Sequence, residues 1–244
     1  MNITKEEKLM YEAMMAIYNS GIPINFKGSM VLRACLLEAG YSDDIRHTVD
    51  IDGNWCSDTE PTNEQMVESL QNALLKSGID LKVSLSRKYG EGRSAGFDLS
   101  DSSTNEVIFT MDIDVNRPAS STKIYEVNGI RFCGVSVVQM LADKISSISS
   151  EKVFRRIKDV VDLYYLSQVF NFDKTIVLCA LKNSQRTLGD FNGFLHQTEL
   201  LKHSYEKFRF AGNVSKPPFD EVYLTVKKFI KPILPRERNR DFER

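Results

Sequence analysis

The chain has 244 residues, 42% hydrophobic and 27% charged, which is enough for one large domain or two smaller ones, each with its own core. No apolar run approaches the roughly 20 residues that span a bilayer, so a helical membrane protein is excluded and no membrane partner is expected. The net charge of -1 hides an uneven distribution, because residues 201–244 hold eleven Lys or Arg against six Asp or Glu while the rest holds 21 against 27.

An acidic front and a basic tail suit a metal-carrying domain followed by one that meets a polyanion; a solvated basic helix with a frayed tail explains the same counts. The N-terminal MNITKEEKLMYEAMM lacks the apolar centre of a signal peptide, so a cytoplasmic location is expected. Cys35, Cys56, Cys133 and Cys179 have no metal-type spacing and are expected to be free, mostly buried thiols.

In chain order, Thr4-x-x-Glu7 forms a capping box for a first helix, whose apolar positions Met10, Met14 and Ile17 repeat until Gly21. A short strand, Ile24 to Phe26, leads through the turn Lys27-Gly28-Ser29 into a second helix that Gly40 ends. Strand, Gly-Ser turn and helix start in that order place backbone N–H groups where a phosphate can bind. Ile45 to Ile51 reads as a strand carrying Arg46, Thr48, Asp50 and Asp52 on one face, with His47 pointing away from the acids.

A loop from Asn54 to Thr62 holds Trp55, and Pro61 then opens a third helix that runs to Gly78. Leu81 to Leu85, Ser94 to Leu99 and Val107 to Val115 read as strands, the last with Thr110, Asp112 and Asp114 on one side. Asn128-Gly129 marks a hairpin turn within Tyr125 to Phe132. Ser136-x-x-Gln139 then caps a helix, and helical periods follow over 151–169, 174–186, 199–208 and 219–229. The fold class expected is α+β, a mixed sheet with flanking helices over 1–140 and an all-helical part over 141–244, with disorder after Pro235. Tyr164, Tyr165, Phe170 and Phe172 are read as core, and His196 and His203 have no metal-type partners.

Two strands therefore carry an Asp-x-Asp pair, Asp50/Asp52 and Asp112/Asp114. Carboxylates held side by side repel each other unless a cation lies between them. If the two strands are neighbours, three or four carboxylates converge on one point, a donor set for two hard cations of the kind that serve phosphoryl transfer. Lys158/Asp162 and Arg155/Asp159, each at i and i+4, also read as ordinary surface pairs, and Lys144 as a surface lysine beside Asp143.

Gly28-Ser29, the strand Arg46 to Asp52, the strand Met111 to Val115 and the helix Arg156 to Tyr164 together resemble the AbiEii/AbiGii-type nucleotidyltransferases, toxins of type IV toxin–antitoxin and abortive-infection systems within the DNA polymerase β-like superfamily. The resemblance spans about Lys27 to Leu166 and implies a polymerase β-like domain followed by a helical one. It implies that Asp50, Asp52 and Asp114 are the catalytic carboxylates and hold Mg²⁺, two ions in all. Lys27, Gly28, Ser29, Lys144, Lys158 and Asp162 would bind the nucleotide. Asp112, an extra acid on the same face as Asp114, leaves open which of the two ligates metal.

The activity implied is transfer of a nucleoside monophosphate from an NTP to an RNA 3′ end, tRNA among them, or to a protein hydroxyl, under control of a cognate antitoxin. Two alternatives stand beside it: a non-catalytic nucleotide-binding protein that retains the fold, and a small-molecule nucleotidyltransferase of the antibiotic-modifying kind.

Overall fold

The computed structural model describes residues 3–41, 45–89, 94–115, 117–118, 120–210 and 214–235. The expected disorder after Pro235 concerns residues outside that set. The described chain divides into two compact units, Met1–Met140 with Phe210–Ser215, and Leu141–Arg209 with Lys216–Arg244.

The first unit is built on a seven-stranded mixed sheet with the order β3-β4-β5-β2-β1-β7-β6. The strands are β1 (Ile24–Lys27), β2 (Asp50–Trp55), β3 (Leu81–Tyr89), β4 (Ser94–Asp101), β5 (Val107–Asp114), β6 (Thr122–Val127) and β7 (Ile130–Val135). β2 runs parallel to β5, β1 runs parallel to β7, and the other neighbours are antiparallel. The β6–β7 turn has positive φ at both Asn128 (51°) and Gly129 (80°), as the hairpin signature requires.

Helices α1 (Lys5–Asn19), α2 (Gly28–Glu38) and α3 (Asn63–Lys76) cover one face of this sheet. α1 starts where the capping box predicts: Glu7 N–H donates to Thr4 Oγ1 at 3.1 Å and Thr4 N–H to Glu7 Oε2 at 3.0 Å. Tyr11 of α1 stacks on Phe132, Phe132 meets Phe26 edge-on, and Val31 of α2 lies over Gly134. Alternation then puts Ile24, Phe26, Ile51, Phe97, Met111 and Ile113 in that buried layer and turns their polar neighbours to the opposite face.

The second unit contains the C-terminal part of α4 (Val137–Ile148), then α5 (Ile157–Val169), α6 (Lys174–Asn183), α7 (Asn192–His196), α8 (Thr198–Lys207) and α9 (Phe219–Phe229). α5 packs on α9 and α8, with Tyr164 Oη donating to Glu221 Oε1 at 2.5 Å. Mixed sheet and helices make the α+β class expected from the sequence.

Several expectations need correction. The strand expected over Ile45 to Ile51 begins only at Asp50 and runs on through Trp55, so Asn54 and Trp55 are strand residues rather than loop. The preceding segment is held by side chains instead of a ladder. Arg33 Nη1 donates to the Ile45 carbonyl at 3.3 Å, Arg46 Nη2 to Ser29 Oγ at 3.1 Å, and His47 Nδ1 lies 2.9 Å from Glu7 Oε1.

The third helix starts at Asn63, because Thr62 and Gln65 form a second capping box that Pro61 precedes. The helix expected over 151–169 is broken into a 3-10 turn, Val153–Arg156, followed by α5. The segment before the turn packs closely on the α6–α7 connection: Phe191 N–H donates to Ser149 O at 3.1 Å, and Gly189 and Gly193 lie against the carbonyls of Ser149 and Glu151. The cysteines are free, but only Cys35 is buried, its thiol pushed up to about 11 chiefly by that burial; Cys56 and Cys179 are exposed and Cys133 is intermediate.

Candidate active site

The two Asp-Ile-Asp strands, β2 and β5, are direct neighbours, and their register pairs Asp50 with Thr110, Asp52 with Asp112 and Asn54 with Asp114. Extending the rungs across the sheet gives Lys27, Asp52, Asp112, Gly96 and Arg87 in one row, and Asn25, Asn54, Asp114 and Ser94 in the next. All of these residues share the face that α1, α2 and α3 leave uncovered. Sequence reasoning expected the carboxylates to converge on a single point. The ladder instead spreads them over three rungs of one face, and among the described residues no three Asp, Glu, His or Cys side chains are gathered closely enough to hold one ion together.

The four acids differ in what they touch. Asp50 accepts the Thr48 hydroxyl at 2.8 Å. Asp52 lies against Gly28, where an added Cβ would overlap its Oδ2. Gly28 also has φ +73°, so both the space and the backbone conformation there demand glycine.

Asp114 leans over β2: its Oδ2 takes Lys27 Nζ at 2.6 Å and Arg117 Nε at 3.2 Å, and its Oδ1 takes the Ser94 hydroxyl. Asp112 leans the other way, over β4, where Gly96 leaves room for Arg87 Nη2 to reach both of its oxygens at 3.0 and 2.9 Å. Burial pushes the Asp114 carboxyl up, but the Lys27 ammonium, the hydrogen bonds from Lys27 and Ser94, and Arg117 together hold it below the usual carboxylate range.

Lys27 Nζ also donates to Asn54 Oδ1 at 2.7 Å, so a fixed cation bridges β5 and β2 beside the acid pair. Asp50, Asp52 and Asp114 place carboxylate oxygens, the ligand type of a hard divalent ion, on one face of the sheet, and the Lys27 ammonium is bound to the last of them. The structure thus brings Asp50, Asp52, Asp114, Lys27, Gly28 and Ser29 into one neighbourhood.

Ser29, at the start of α2, is buried at 6% exposure and its hydroxyl accepts from Arg46. Lys27, the N-cap residue there, makes no side-chain capping bond, and the first turn carries no acid. Both facts favour an anion at that helix end.

Arg46, Thr48, Asn54, Ser94 and Arg117 also belong to this face and had no assigned role in the sequence reading. Arg46 and Thr48 were detectable, since they share the parity of Asp50. Ser94 and Arg117 depend on the β4–β5 register and on the course of the chain after β5, which no local pattern encodes. His47, which the sequence turns away from the acids, packs against a buried cluster: Glu7 is 0% exposed and meets both His47 and, at 3.5 Å, Arg33. This cluster fixes the segment that leads into Asp50.

Lys144, Asp159 and Asp162 lie in the second unit and are drawn to one another. Lys144 Nζ is 2.6 Å from Asp162 Oδ2 and 3.4 Å from Asp159 Oδ1, with Asp162 fully buried. The reading of Lys144 as a surface lysine, and of Lys158/Asp162 and Arg155/Asp159 as i,i+4 surface pairs, is therefore replaced by a buried pair between α4 and α5. Arg155 belongs to the 3-10 turn and sits over the Phe154 ring, while Lys158 is half-buried on α5. Tyr164 and Tyr165 are buried as expected, whereas Phe170 and Phe172 are only half-buried.

In solved structures the fold recurs in the nucleotidyltransferase toxin MenT4 from Mycobacterium tuberculosis. That likeness has a TM-score of 0.55 at 14% identity and covers 91% of this chain and 80% of that one. A weaker likeness, TM-score 0.39 at 19% identity, covers 74% of this chain and 88% of an antigenic nucleotidyltransferase-like protein from Paracoccidioides brasiliensis. None of the curated proteins matches the sequence. No helix among the described residues is long and apolar enough to cross a membrane. The family model for the nucleotidyl transferase AbiEii toxin of type IV toxin–antitoxin systems matches residues 11–243, and the chain belongs to that family of nucleotidyltransferases.

Proposed function

We propose that this toxin transfers a nucleoside monophosphate from an NTP to an acceptor hydroxyl, with pyrophosphate leaving, in a Mg²⁺-dependent reaction that a cognate antitoxin restrains. The observation that carries this reading is the pair of Asp-Ile-Asp strands side by side on the sheet face next to the uncapped start of α2. Asp50, Asp52 and Asp114 are the residues to hold the metal, which when bound supplies positive charge against the triphosphate.

Asp114 is chosen over Asp112 because its Oδ2 meets Lys27, which reaches across β2 from β1, whereas Arg87 takes both oxygens of Asp112. A carboxyl held below its usual range stays ionised at neutral pH but is a weak proton acceptor, so Asp114 suits ligation better than the role of general base. The start of α2 at Gly28 and Ser29 receives phosphate oxygens through backbone N–H groups, and Lys27 and Arg46 add positive charge at that end.

The resemblance gives Lys144, Lys158 and Asp162 to the nucleotide. Their surroundings support a different first duty for two of them: Lys144 neutralises the fully buried Asp162 and so holds α4 to α5.

Incubation with Mg²⁺, each α-labelled NTP, and total tRNA or lysate as acceptor tests the proposal. Label passes to RNA or protein with at least one NTP, and EDTA abolishes the transfer. Absence of label transfer with every NTP and both acceptor pools contradicts it and favours the non-catalytic reading.

A further inference from the structure

The groove that opens between the α5–α6 connection and the C-terminal end of α9 has no part in the site above. Phe170 and Phe172 from the connection and Phe229 from α9 line it, the last two rings meeting edge to face with centroids 5.6 Å apart. Around these half-buried rings stand the exposed lysines Lys174, Lys228 and Lys231. The cavity measures about 730 Å³, and a second of about 680 Å³ shares Lys228, Lys231 and Leu234 with it and adds Lys227. Among the described residues neither is lined by an acid.

The helix dipole accounts for only part of this charge. Lys227 and Lys228 lie in the last turn of α9, where a cation is favourable. Lys174 occupies the first turn of α6, the positive end, where it is unfavourable, and Asp173 beside it is engaged as the N-cap to Ile176 N–H at 3.1 Å. Burying the three phenylalanines completely would also have cost nothing by the hydrophobic effect, yet they remain at the wall of an open groove.

We propose that this groove binds single-stranded RNA, bases against Phe170, Phe172 and Phe229 and phosphates along Lys174, Lys228 and Lys231. Aromatic faces between cations recognise unstacked bases without regard to sequence, and a duplex does not present such faces. The two adjoining cavities together exceed what one nucleotide fills, which favours a strand over a mononucleotide. The choice of RNA as the strand rests on the nucleotidyl-transfer reading above, for which the groove holds the acceptor.

Fluorescence anisotropy with the full chain and a labelled, unstructured RNA 12-mer tests this, with an RNA duplex and polyglutamate as competitors. Lys228→Glu/Lys231→Glu is expected to weaken binding at least about tenfold and to reduce the log–log salt slope by about 1.5, near the value for two lost phosphate contacts on a single strand. Phe172→Leu, which keeps an apolar side chain, is expected to weaken it about fivefold with the slope unchanged, as loss of stacking on one ring does. Circular dichroism and binding of a fluorescent NTP check that both variants are folded and that the first site is intact.

RNA binding unchanged in the double variant overturns the proposal. So does polyglutamate or duplex competing as well as single strand, since a charged surface for an acidic protein partner behaves that way. Failure of label transfer with any NTP while these binding effects hold contradicts the proposed activity but not the groove.

Discussion

β2 and β5 carry the same tripeptide, Asp-Ile-Asp, on adjacent parallel strands, yet the four acids have different environments. On β2, Asp50 accepts a neutral hydroxyl and Asp52 fits against Gly28 at the start of a helix. On β5, Asp112 is clamped by Arg87, and Asp114 by Lys27 and Arg117. The repeated motif is thus one pair near the Gly28-Ser29 turn and one pair compensated by fixed cations. The direction in which each side chain leans separates Asp114 from Asp112, although both lie on the same face.

Substitutions on β2 carry the largest expected effect. Asp50→Asn and Asp52→Asn are each expected to lower label transfer on the order of 10³-fold with the fold retained, because neither truncates a side chain or disturbs the core. Steady-state transfer alongside circular dichroism measures this.

Lys144→Ala is the next largest effect and falls on stability instead, about 3–5 kcal/mol, since it leaves the fully buried Asp162 without its nearest cation. Urea denaturation reads it, and adding Asp162→Leu to Lys144→Met recovers much of the loss if the pair is chiefly structural. Unchanged stability together with a raised KM for NTP restores the nucleotide-binding duty.

Gly28→Ala follows, costing about 1–2 kcal/mol through the positive φ alone, with transfer reduced further because the methyl displaces the Asp52 carboxylate.

The smallest effect is one of pH. The folded-state carboxyl of Asp114 titrates below its unfolded value of about 3.9, so the stability it contributes is fully present above that pH and is lost as pH falls through the lower folded value. Denaturation midpoints taken from pH 7 down to pH 3 fall less steeply in Asp114→Asn than in the native chain. Parallel curves for the two proteins contradict the assigned depression.

Much of the frame was legible in local signals. The capping box at Thr4 and Glu7, the Asn128-Gly129 hairpin, the alternation along β5 and the polar turn before α2 each encode their geometry within a few residues. What escaped was set at a distance. The segment 45–49 alternates like a strand, but Glu7, Ser29 and Arg33 claim its side chains and backbone from two helices.

Glu7 itself shows the limit of a motif: the capping box explains its bonds to Thr4 and cannot foresee that the same carboxylate is buried against Arg33 and His47. Trp55, expected in a loop, is a strand residue because β2 extends to pair with β1 as far as Ile24. Asp112 and Asp114 were indistinguishable by pattern, because the difference between them comes from Gly96 making room for Arg87 and from Lys27 reaching across β2.

The decisive measurement is label transfer by Asp114→Asn and Asp112→Asn side by side, with Asp52→Asn as the reference. Asp114→Asn is expected to match the loss in Asp52→Asn while Asp112→Asn keeps more than about a tenth of native transfer, since Arg87 already takes both oxygens of Asp112. Loss of transfer in Asp112→Asn with activity retained in Asp114→Asn would contradict the assignment of the third carboxylate and the comparison built on it.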